Sequence, residues 1–240
     1  IEYVELNRAK HGKTMDQIED FMKKLFPIPE LCKYMWEHLA STLWGKNLNQ
    51  TFNMYIGCGR NGKSKLVEFM GEILGDYKGT VPIGLVTQKR TAIGGASPEI
   101  AQLRGLRYAV MQEPSKGMVL NEGIMKELTG GDPLVGRALF KDSVTFIPQF
   151  KLVVCTNCMP EVLSNDDGTW RRLRAVPFIS RFVKPNDVDT KLHRYPIDTQ
   201  LQKKLAFWVV PFMTILFEEW KEYDRLSSEN KIVIPDAVLE

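Results

Sequence analysis

Apolar side chains recur every three or four residues near both ends of the chain, which is the spacing of one face of an α-helix. The first 47 residues carry two such stripes, and a proline-rich break separates them. A third stripe runs from Leu201 to Leu216, with Pro211 inside it. Because proline lacks the backbone donor, we expect Pro211 to kink this helix or to begin a new one. The pattern predicts helical segments at 1–47 and 183–240.

The middle of the chain alternates short, β-prone apolar runs with helical stretches, which is typical of an α/β layer fold. The predicted strands are Thr51–Ile56, Tyr108–Gln112, Val135–Phe140, Val144–Ile147, Leu152–Cys155 and Arg174–Phe178. We therefore expect residues 48–182 to form an α/β core around a parallel central sheet. We expect the flanking helical segments to begin and end the chain, the last one from Lys184 onward.

Composition supports a folded protein and says little about its partners. The chain has 240 residues, of which 44% are hydrophobic and 25% charged, so a core is expected. The net charge of +3 is too small to indicate nucleic-acid binding. The stretch from Arg137 to Arg194 contains ten basic and six acidic residues. Charge alone favours an ordinary solvated surface for this stretch.

Four cysteines and three histidines form neither a disulfide framework nor a zinc pattern. Cys155 and Cys158 have C-x-x-C spacing, but no second pair accompanies them, so redox or metal use is disfavoured. The cysteines predict a reducing compartment such as the cytoplasm. No apolar run approaches about 18 residues, so no membrane span is expected. The chain begins at Ile1 rather than Met, and we expect it to be part of a longer protein.

The clearest motif is the glycine loop, Gly57–Ser64, which fits the pattern G-x-x-x-x-G-K-[ST] between a predicted strand and a predicted helix. Backbone N–H groups of such a loop bind phosphate oxygens, and the helix N-terminus adds a favourable dipole. Lys63 would reach the β- and γ-phosphates, and Ser64 would hold Mg²⁺. The candidate ATP-binding residues are Gly57, Cys58, Gly59, Arg60, Asn61, Gly62, Lys63, Ser64 and Lys65.

A second candidate is the acid at the end of the apolar strand 108–112. Glu113 follows that strand, and ligands in open α/β sheets lie outside the carboxyl ends of strands. We therefore predict that Glu113 is the general base and contributes to the metal site. Gln112 stands where many such sites carry a second acid, so Mg²⁺ would rest mainly on Ser64, phosphates and water.

Polar residues beside two later strands complete the predicted chemistry. Asn157, after the third apolar strand, could contact the γ-phosphate or the attacking water. Alone it would be a turn residue, but beside the glycine loop and Glu113 the catalytic interpretation is favoured. Arg171 and Arg172 follow an Asp-Asp-Gly turn. An arginine from a neighbouring subunit can neutralise charge in phosphoryl transfer, and the alternative is a structural salt-bridge cluster.

A predicted hairpin precedes the Asn157 strand. Its two apolar runs flank a polar turn at Lys141-Asp142. A lysine at a hairpin tip is well placed to meet a phosphate backbone. Without further context, an ordinary exposed turn lysine is the favoured interpretation.

The order of these motifs resembles superfamily 3 helicases, and most of all the poxvirus-type primase–helicases of large nucleocytoplasmic DNA viruses and their phage and plasmid relatives. The likeness spans roughly residues 20 to 220. It is carried by Gly57–Ser64, Leu74–Tyr77, Gly105–Arg107, Glu113, Lys126–Asp132, Arg137, Lys141, Asn157, Pro160, Asp167–Arg172 and Val176–Phe178. The resemblance implies an AAA+ P-loop core, a homo-hexameric ring and ATP-driven movement along single-stranded DNA.

The resemblance also implies roles for individual residues. The nucleotide-binding lysine and hydroxyl fall on Lys63 and Ser64, the acidic residue on Glu113, and the sensor asparagine on Asn157. The arginine finger, which acts on the neighbouring subunit's nucleotide, falls on Arg172.

Arg171 is the alternative to Arg172 for this finger. The DNA-gripping hairpin falls on 135–147, with Lys141 at its tip and Arg137 on its first strand.

These observations predict an ATP- and Mg²⁺-dependent replicative DNA helicase motor, fused to or working with a primase domain. One alternative is a nucleotide- and DNA-binding or packaging scaffold that does not unwind. Another is a small-molecule kinase, which is disfavoured because Asn157 and the hairpin would then have no role.

Overall fold

The computed structural model describes residues 6–89, 95–112, 119–163, 166–226 and 232–239. It is a mixed α/β structure with a five-stranded parallel sheet and flanking helices. The chain forms two compact units, which are described separately. Unit 1 consists of 1–43, 57–75 and 177–240, and unit 2 consists of 44–56 and 76–176.

The helices and strands follow in chain order. The helices are α1 (Arg8–Leu25), α2 (Pro29–Ala40), α3 (Lys63–Leu74), α4 (Pro98–Ala101), α5 (Glu122–Thr129), α6 (Asp167–Trp170), α7 (Leu201–Leu226) and α8 (Asp236–Leu239). The strands are β1 (Phe52–Ile56), β2 (Lys78–Thr80), β3 (Tyr108–Gln112), β4 (Leu134–Arg137), β5 (Ser143–Phe146), β6 (Lys151–Thr156), β7 (Leu173–Pro177), β8 (Arg181–Val183) and β9 (Arg194–Pro196).

Unit 2 is built on the sheet, whose strand order is β2-β3-β6-β1-β7. The central strands β1, β3 and β6 are buried almost throughout, as expected for parallel strands covered on both faces. Ile56 pairs with Thr156, and Gln112 pairs with Cys155. The carboxyl ends of these three strands therefore lie along one edge of the sheet.

Unit 1 is mainly helical, and aromatic side chains hold its helices together. The Phe212 ring of α7 lies 5.0 Å from the Trp36 ring of α2 and 4.8 Å from the Phe69 ring of α3, centroid to centroid. On α1, Phe21 packs against Trp208 of α7 at 5.8 Å. The apolar face of α7 thus forms contacts with three other helices of this unit.

The predicted helices at the amino end are confirmed as α1 and α2. At the carboxyl end, α7 passes through Pro211 as a single helix, so no new helix begins there. Proline removes one internal hydrogen bond, and the buried residues Trp208 and Phe212 on either side keep the helix packed.

Two boundary predictions are wrong, and three strands were missed. The first hairpin strand ends at Arg137 rather than Phe140, because Phe140 takes a left-handed φ of 58° that a strand cannot accommodate. The chain is not helical directly from Lys184, since β9 precedes α7. The missed strands β2, β8 and β9 have three residues each, too few to show a period of two. Within the described ranges, no helix combines the length and apolarity needed to cross a membrane.

Candidate functional site

The glycine loop has the predicted strand–loop–helix context. β1 ends at Ile56, the loop follows, and α3 begins at Lys63 with Gly62 as its N-cap. The first N–H groups of a helix have no acceptor within the helix, and the helix dipole favours an anion there. The local chemistry therefore suits a phosphate group.

Close packing within unit 1 fixes the shape of the loop. A Cβ on Gly57 would lie 2.5 Å from Asn61 Nδ2 and 2.7 Å from the Phe178 carbonyl oxygen. Gly62 has a φ of 81°, which a side chain would strain. The Phe182 N–H donates to the Arg60 carbonyl oxygen at 2.8 Å, which ties β8 to the loop.

Lys63, the candidate phosphate-binding cation of the loop, is buried. The residue is only 9% exposed, and its Nζ donates to the Gly57 carbonyl oxygen at 2.8 Å. Its backbone N–H donates to Asn61 Oδ1 at 3.2 Å. The ammonium is thus held against the first residue of the loop, where a bound phosphate would compete for it.

The loop offers one hydroxyl for a metal ion. Ser64 lies exposed in the first turn of α3. Among the described residues, no group of three or more His, Cys, Asp or Glu side chains forms a metal site. An Mg²⁺ ion commonly keeps several waters and uses substrate phosphates as ligands. The hydroxyl of Ser64 fits this mode of binding.

The strand-end candidates of unit 2 are partly described. Glu113, the predicted general base, lies outside the described residues, and Gln112 ends β3 exposed to solvent. Asn157 is exposed directly after β6. The Thr156 hydroxyl donates to the Cys158 carbonyl oxygen at 2.5 Å and accepts from the Cys158 N–H at 3.2 Å. This turn leaves the Asn157 side chain open to solvent.

Both candidate arginines are held by one glutamine. Arg171 and Arg172 each donate to Gln50 Oε1, at 2.9 Å and 3.0 Å. Arg172 also donates to the Gly168 carbonyl oxygen at 2.5 Å. Burial, and then repulsion by Arg171, lower the pKa of Arg172, yet a guanidinium stays charged in proteins. Arg171 is the more exposed of the two.

The Asp-Asp-Gly turn before these arginines is organised by Asp166. Its carboxylate accepts from the Gly168 N–H at 2.8 Å and from the Thr169 hydroxyl at 2.7 Å, which caps α6. The same carboxylate forms an ion pair with Lys126 of α5. Arg171 and Arg172 therefore follow directly after the short helix that Asp166 caps.

The hairpin is confirmed as β4 and β5, which pair antiparallel from Leu134–Phe146 to Arg137–Ser143. Its turn spans 138–142 and presents Lys141 to solvent. Phe140 is fully exposed at the tip. Arg137, Phe140 and Lys141 line one open cavity of about 800 Å³.

The sequence did not reveal that Phe140 is exposed at the tip, because its apolar run with Leu139 favours a strand. The available signal was an aromatic residue directly before a turn lysine.

The root of the hairpin is tightly packed, unlike its tip. A Cβ on Gly136 would come within 2.6 Å of the Ala101 nitrogen and 2.8 Å of the Ala101 Cα. The Arg137 N–H donates to Ser97 Oγ at 3.1 Å, and the Ser97 N–H donates to the Arg137 carbonyl oxygen at 2.8 Å. β4 is thus anchored on α4.

Viral proteins share this sequence over almost its whole length. The protein named "Putative helicase L207/L206" of Acanthamoeba polyphaga mimivirus is 37% identical over 230 residues, which cover 93% of this chain and 24% of that protein. "Putative helicase 022R" of Frog virus 3 is 32% identical over 229 residues, or 92% of this chain and 23% of that protein. "Putative primase C962R" of African swine fever virus is 26% identical over 210 residues, or 82% and 21%.

The chain therefore spans about a quarter of the length of these relatives. No family model matches the sequence. The apo structure of the NrS-1 C terminal region superposes with a TM-score of 0.62 at 13% identity, over 85% of this chain and 45% of that one. This likeness shows a shared fold.

Proposed function

Because the chain is homologous to a segment of the putative helicases and putative primases of large DNA viruses, we propose that it is the ATP-dependent motor of a replicative DNA helicase. The observation that carries the proposal is the glycine loop. Its strand–loop–helix context and the placement of Lys63 suit a nucleoside triphosphate, and the homologues are named putative helicase or putative primase.

In the proposed reaction, water attacks the γ-phosphorus of ATP, and the products are ADP and phosphate. Lys63 binds the β- and γ-phosphate oxygens. Ser64 would hold Mg²⁺, which would neutralise charge on the phosphates. Glu113 accepts the proton of the attacking water, and Asn157 orients that water.

The charge that develops on the γ-phosphate calls for a further cation. We propose that Arg172 of a neighbouring subunit supplies it, with Arg171 as the alternative. Its release from Gln50 and Gly168 would then accompany subunit assembly. A ring of six copies, acting beside a primase domain of the parent protein, follows from the same proposal. The mass of the particle with and without ATP and single-stranded DNA measures this assembly.

The hairpin is the proposed DNA contact. Arg137 and Lys141 supply positive charge, and the adjacent Phe140 offers an aromatic face for an unpaired base. Contacts of this type go to phosphate and to base faces. Binding is therefore expected to lack sequence specificity and to weaken as the salt concentration rises.

The decisive test is the Lys63→Ala variant. We expect ATP hydrolysis to fall on the order of 10²-fold or more, since the variant loses the cation that meets the transferring phosphate. The matched control is Lys203→Ala, because Lys203 is an exposed lysine of α7. Undiminished phosphate release by Lys63→Ala would contradict the proposed site.

A second candidate is a scaffold that binds nucleotide and DNA without unwinding. The observation in its favour is that both arginines are already engaged within their own chain by Gln50. Strand displacement on a forked duplex separates the two functions. A motor displaces the strand only when ATP is present, and its Lys63→Ala variant does not displace it. A scaffold does not displace the strand under either condition.

A further inference from the structure

The edge of the sheet where the strands begin is basic and aromatic. Lys78, Tyr108 and Lys151 are the first residues of β2, β3 and β6, and they lie level with one another in the sheet. This edge lies opposite the carboxyl ends of the strands. Two of the motifs noted in the sequence, Leu74–Tyr77 and Gly105–Arg107, end here. The proposed reaction gives neither motif a role.

Arg107 lies at the centre of this edge. Its backbone N–H donates to the Tyr77 carbonyl oxygen at 2.7 Å, and its Cζ lies over the Tyr77 ring, 5.9 Å from the centroid. A Cβ on Gly45 would come within 1.9 Å of Arg107 Nη1, so the guanidinium packs against the backbone of 44–46. Nη1 is buried and has no hydrogen-bond partner among the described residues. Leaving a charged donor unpaired in this way costs free energy.

A second buried cation lies beside Arg107. Lys151 is 3% exposed, and its Nζ donates to the Lys46 carbonyl oxygen at 2.6 Å. Burial, and then repulsion by Arg107, lower the pKa of Lys151 to about 8. The ion pairs formed within the described ranges lie elsewhere, so no carboxylate described there pairs with either cation. An anion bound at this edge would offset both charges.

The surface of this edge carries aromatic rings and further cations. Tyr77 is 56% exposed. Lys46 is exposed, and its Nζ lies over the ring of the half-buried Trp44, 5.2 Å from the centroid. Arg104 is exposed three residues before Arg107. The amino-edge patch consists of Trp44, Lys46, Tyr77, Arg104, Arg107 and Lys151.

The amino-edge patch continues to the hairpin through the short helix α4. The Arg104 N–H donates to the Ala101 carbonyl oxygen at 3.3 Å, and Ala101 lies against Gly136 of β4. At the other end of α4, Ser97 Oγ accepts from the Arg137 N–H. A strand bound at Arg137 therefore finds Arg104 only one four-residue helix away.

We propose that the amino-edge patch is a second contact for single-stranded nucleic acid, which binds phosphates through Lys46 and Arg104 and stacks one base on Tyr77. Proteins that bind single strands without sequence preference combine cations with aromatic rings in this way. The local charge also favours a polyanion, because Asp76 is the only acid adjacent in sequence to a patch residue. The inference goes beyond the proposed function, since it requires neither ATP hydrolysis nor movement along DNA.

The test measures binding to single-stranded and duplex DNA by fluorescence anisotropy, without nucleotide. The single-stranded probe is an oligothymidylate of about 16 nucleotides, a length typical of such sites, and the duplex pairs it with its complement. The variants are Tyr77→Ala, Lys46→Ala and Arg104→Ala, all of which leave the buried cations in place. Phe207→Ala and Lys203→Ala are the matched controls, because both residues are exposed on α7 of unit 1.

We expect Tyr77→Ala to weaken single-strand binding about tenfold, the value of one base–aromatic stack. Its duplex binding should stay unchanged, because paired bases offer no free face, and Tyr77→Phe should bind both probes like the wild type. Lys46→Ala and Arg104→Ala should each weaken single-strand binding a few-fold and lower its salt dependence by about 0.7 unit of slope. Both controls should bind like the wild type.

Other results separate this inference from the proposed function. If the three patch variants bind single strands like the wild type while Lys141→Ala binds them more weakly, the patch is not a nucleic-acid contact and the proposed function stands. If the wild type binds no single strand, the inference and the proposed hairpin contact both fail, while the Lys63→Ala test of the glycine loop is unaffected.

Two further results would overturn the inference alone. The first is an equal loss of single-strand and duplex binding in Tyr77→Ala, which would exclude base stacking. The second is displacement of the oligonucleotide by polyglutamate as readily as by unlabelled oligothymidylate at equal charge, which would indicate an acidic protein segment as the partner. If circular dichroism shows that Tyr77→Ala is unfolded, Lys46→Ala and Arg104→Ala decide, because both side chains are exposed.

Discussion

The glycine loop and the hairpin carry the candidate chemistry in opposite ways. In the loop, main-chain groups are the proposed ligands, and the conformation leaves no room for a Cβ at Gly57. The candidate phosphate-binding side chain of the loop, Lys63, is itself nearly buried. At the hairpin tip, the side chains of Phe140 and Lys141 project into solvent.

Because of this difference, a substitution in the loop and a substitution at the hairpin tip should affect stability and binding differently. A backbone site cannot be altered without moving the packing around it, so stability and binding should be lost together. A side-chain site on an exposed turn can lose its function while the fold stays intact. Four variants, from the largest expected effect to the smallest, test this contrast.

The strongest test is Gly57→Ala. The new Cβ would meet the Phe178 carbonyl oxygen and Asn61 at 2.5–2.7 Å, and a backbone atom cannot move aside cheaply. We expect the free energy of unfolding to fall by about 1–3 kcal/mol, as for other overpacking changes, with loss of ATP binding. Denaturant unfolding and nucleotide titration measure the two effects.

Gly59→Ala is its control, since a Cβ at Gly59 meets nothing within 4 Å. Its stability should stay within about 0.5 kcal/mol of the wild type. Equal stability of the two variants would show that the loop is not held as described.

The second test moves the same change to the root of the hairpin. In Gly136→Ala, the Cβ would meet backbone atoms of Ala101 at 2.6–2.8 Å. We expect a loss of about 1–2 kcal/mol, with weakened DNA binding and unchanged affinity for ATP. Retained stability would mean that β4 is not anchored on α4, and the contrast between root and tip would disappear.

The third test is Phe140→Ala at the tip. Its side chain is fully exposed, so the free energy of unfolding should change by less than about 0.5 kcal/mol. Affinity for single-stranded DNA should fall about tenfold if the ring stacks on a base. Fluorescence anisotropy with a labelled oligonucleotide measures it, with the exposed Phe207→Ala as control. A large loss of stability would contradict the description of the tip.

The smallest effect is expected for Lys141→Ala. One phosphate contact is removed, so binding should weaken a few-fold for every DNA sequence, and the salt dependence should lose about one unit of slope. Lys141→Arg keeps the charge and should keep the slope. A sequence-dependent loss would indicate base recognition instead of phosphate contact.

The two regions also differ in how far the sequence predicts them. The strand, the loop and the start of α3 follow from a local pattern, and the structure confirms each. The hairpin was predicted, but its first strand was drawn to Phe140, because Leu139 and Phe140 favour strands by residue type. The strand ends earlier because Phe140 has a left-handed backbone conformation, which its residue type does not predict.

Other parts of the site depend on contacts that are distant in sequence. Gln50 binds Arg171 across 121 positions, and no local pattern connects them. The amino-edge patch joins Lys46 to Lys151 across 105 positions, so its existence depends on tertiary packing alone. What the sequence predicts is the chemistry of short motifs, and what it leaves open is the assembly of separate segments.

The interleaving of the two units has a consequence for biosynthesis. The chain passes between them four times, after residues 43, 56, 75 and 176. During translation, the residues of unit 2 are all synthesised by Val176, whereas unit 1 waits for α7 near the end. Its amino-terminal helices would therefore leave the ribosome long before their partner helix. Neither unit is a contiguous stretch of the gene, so recombination could exchange one between relatives only by replacing several segments together.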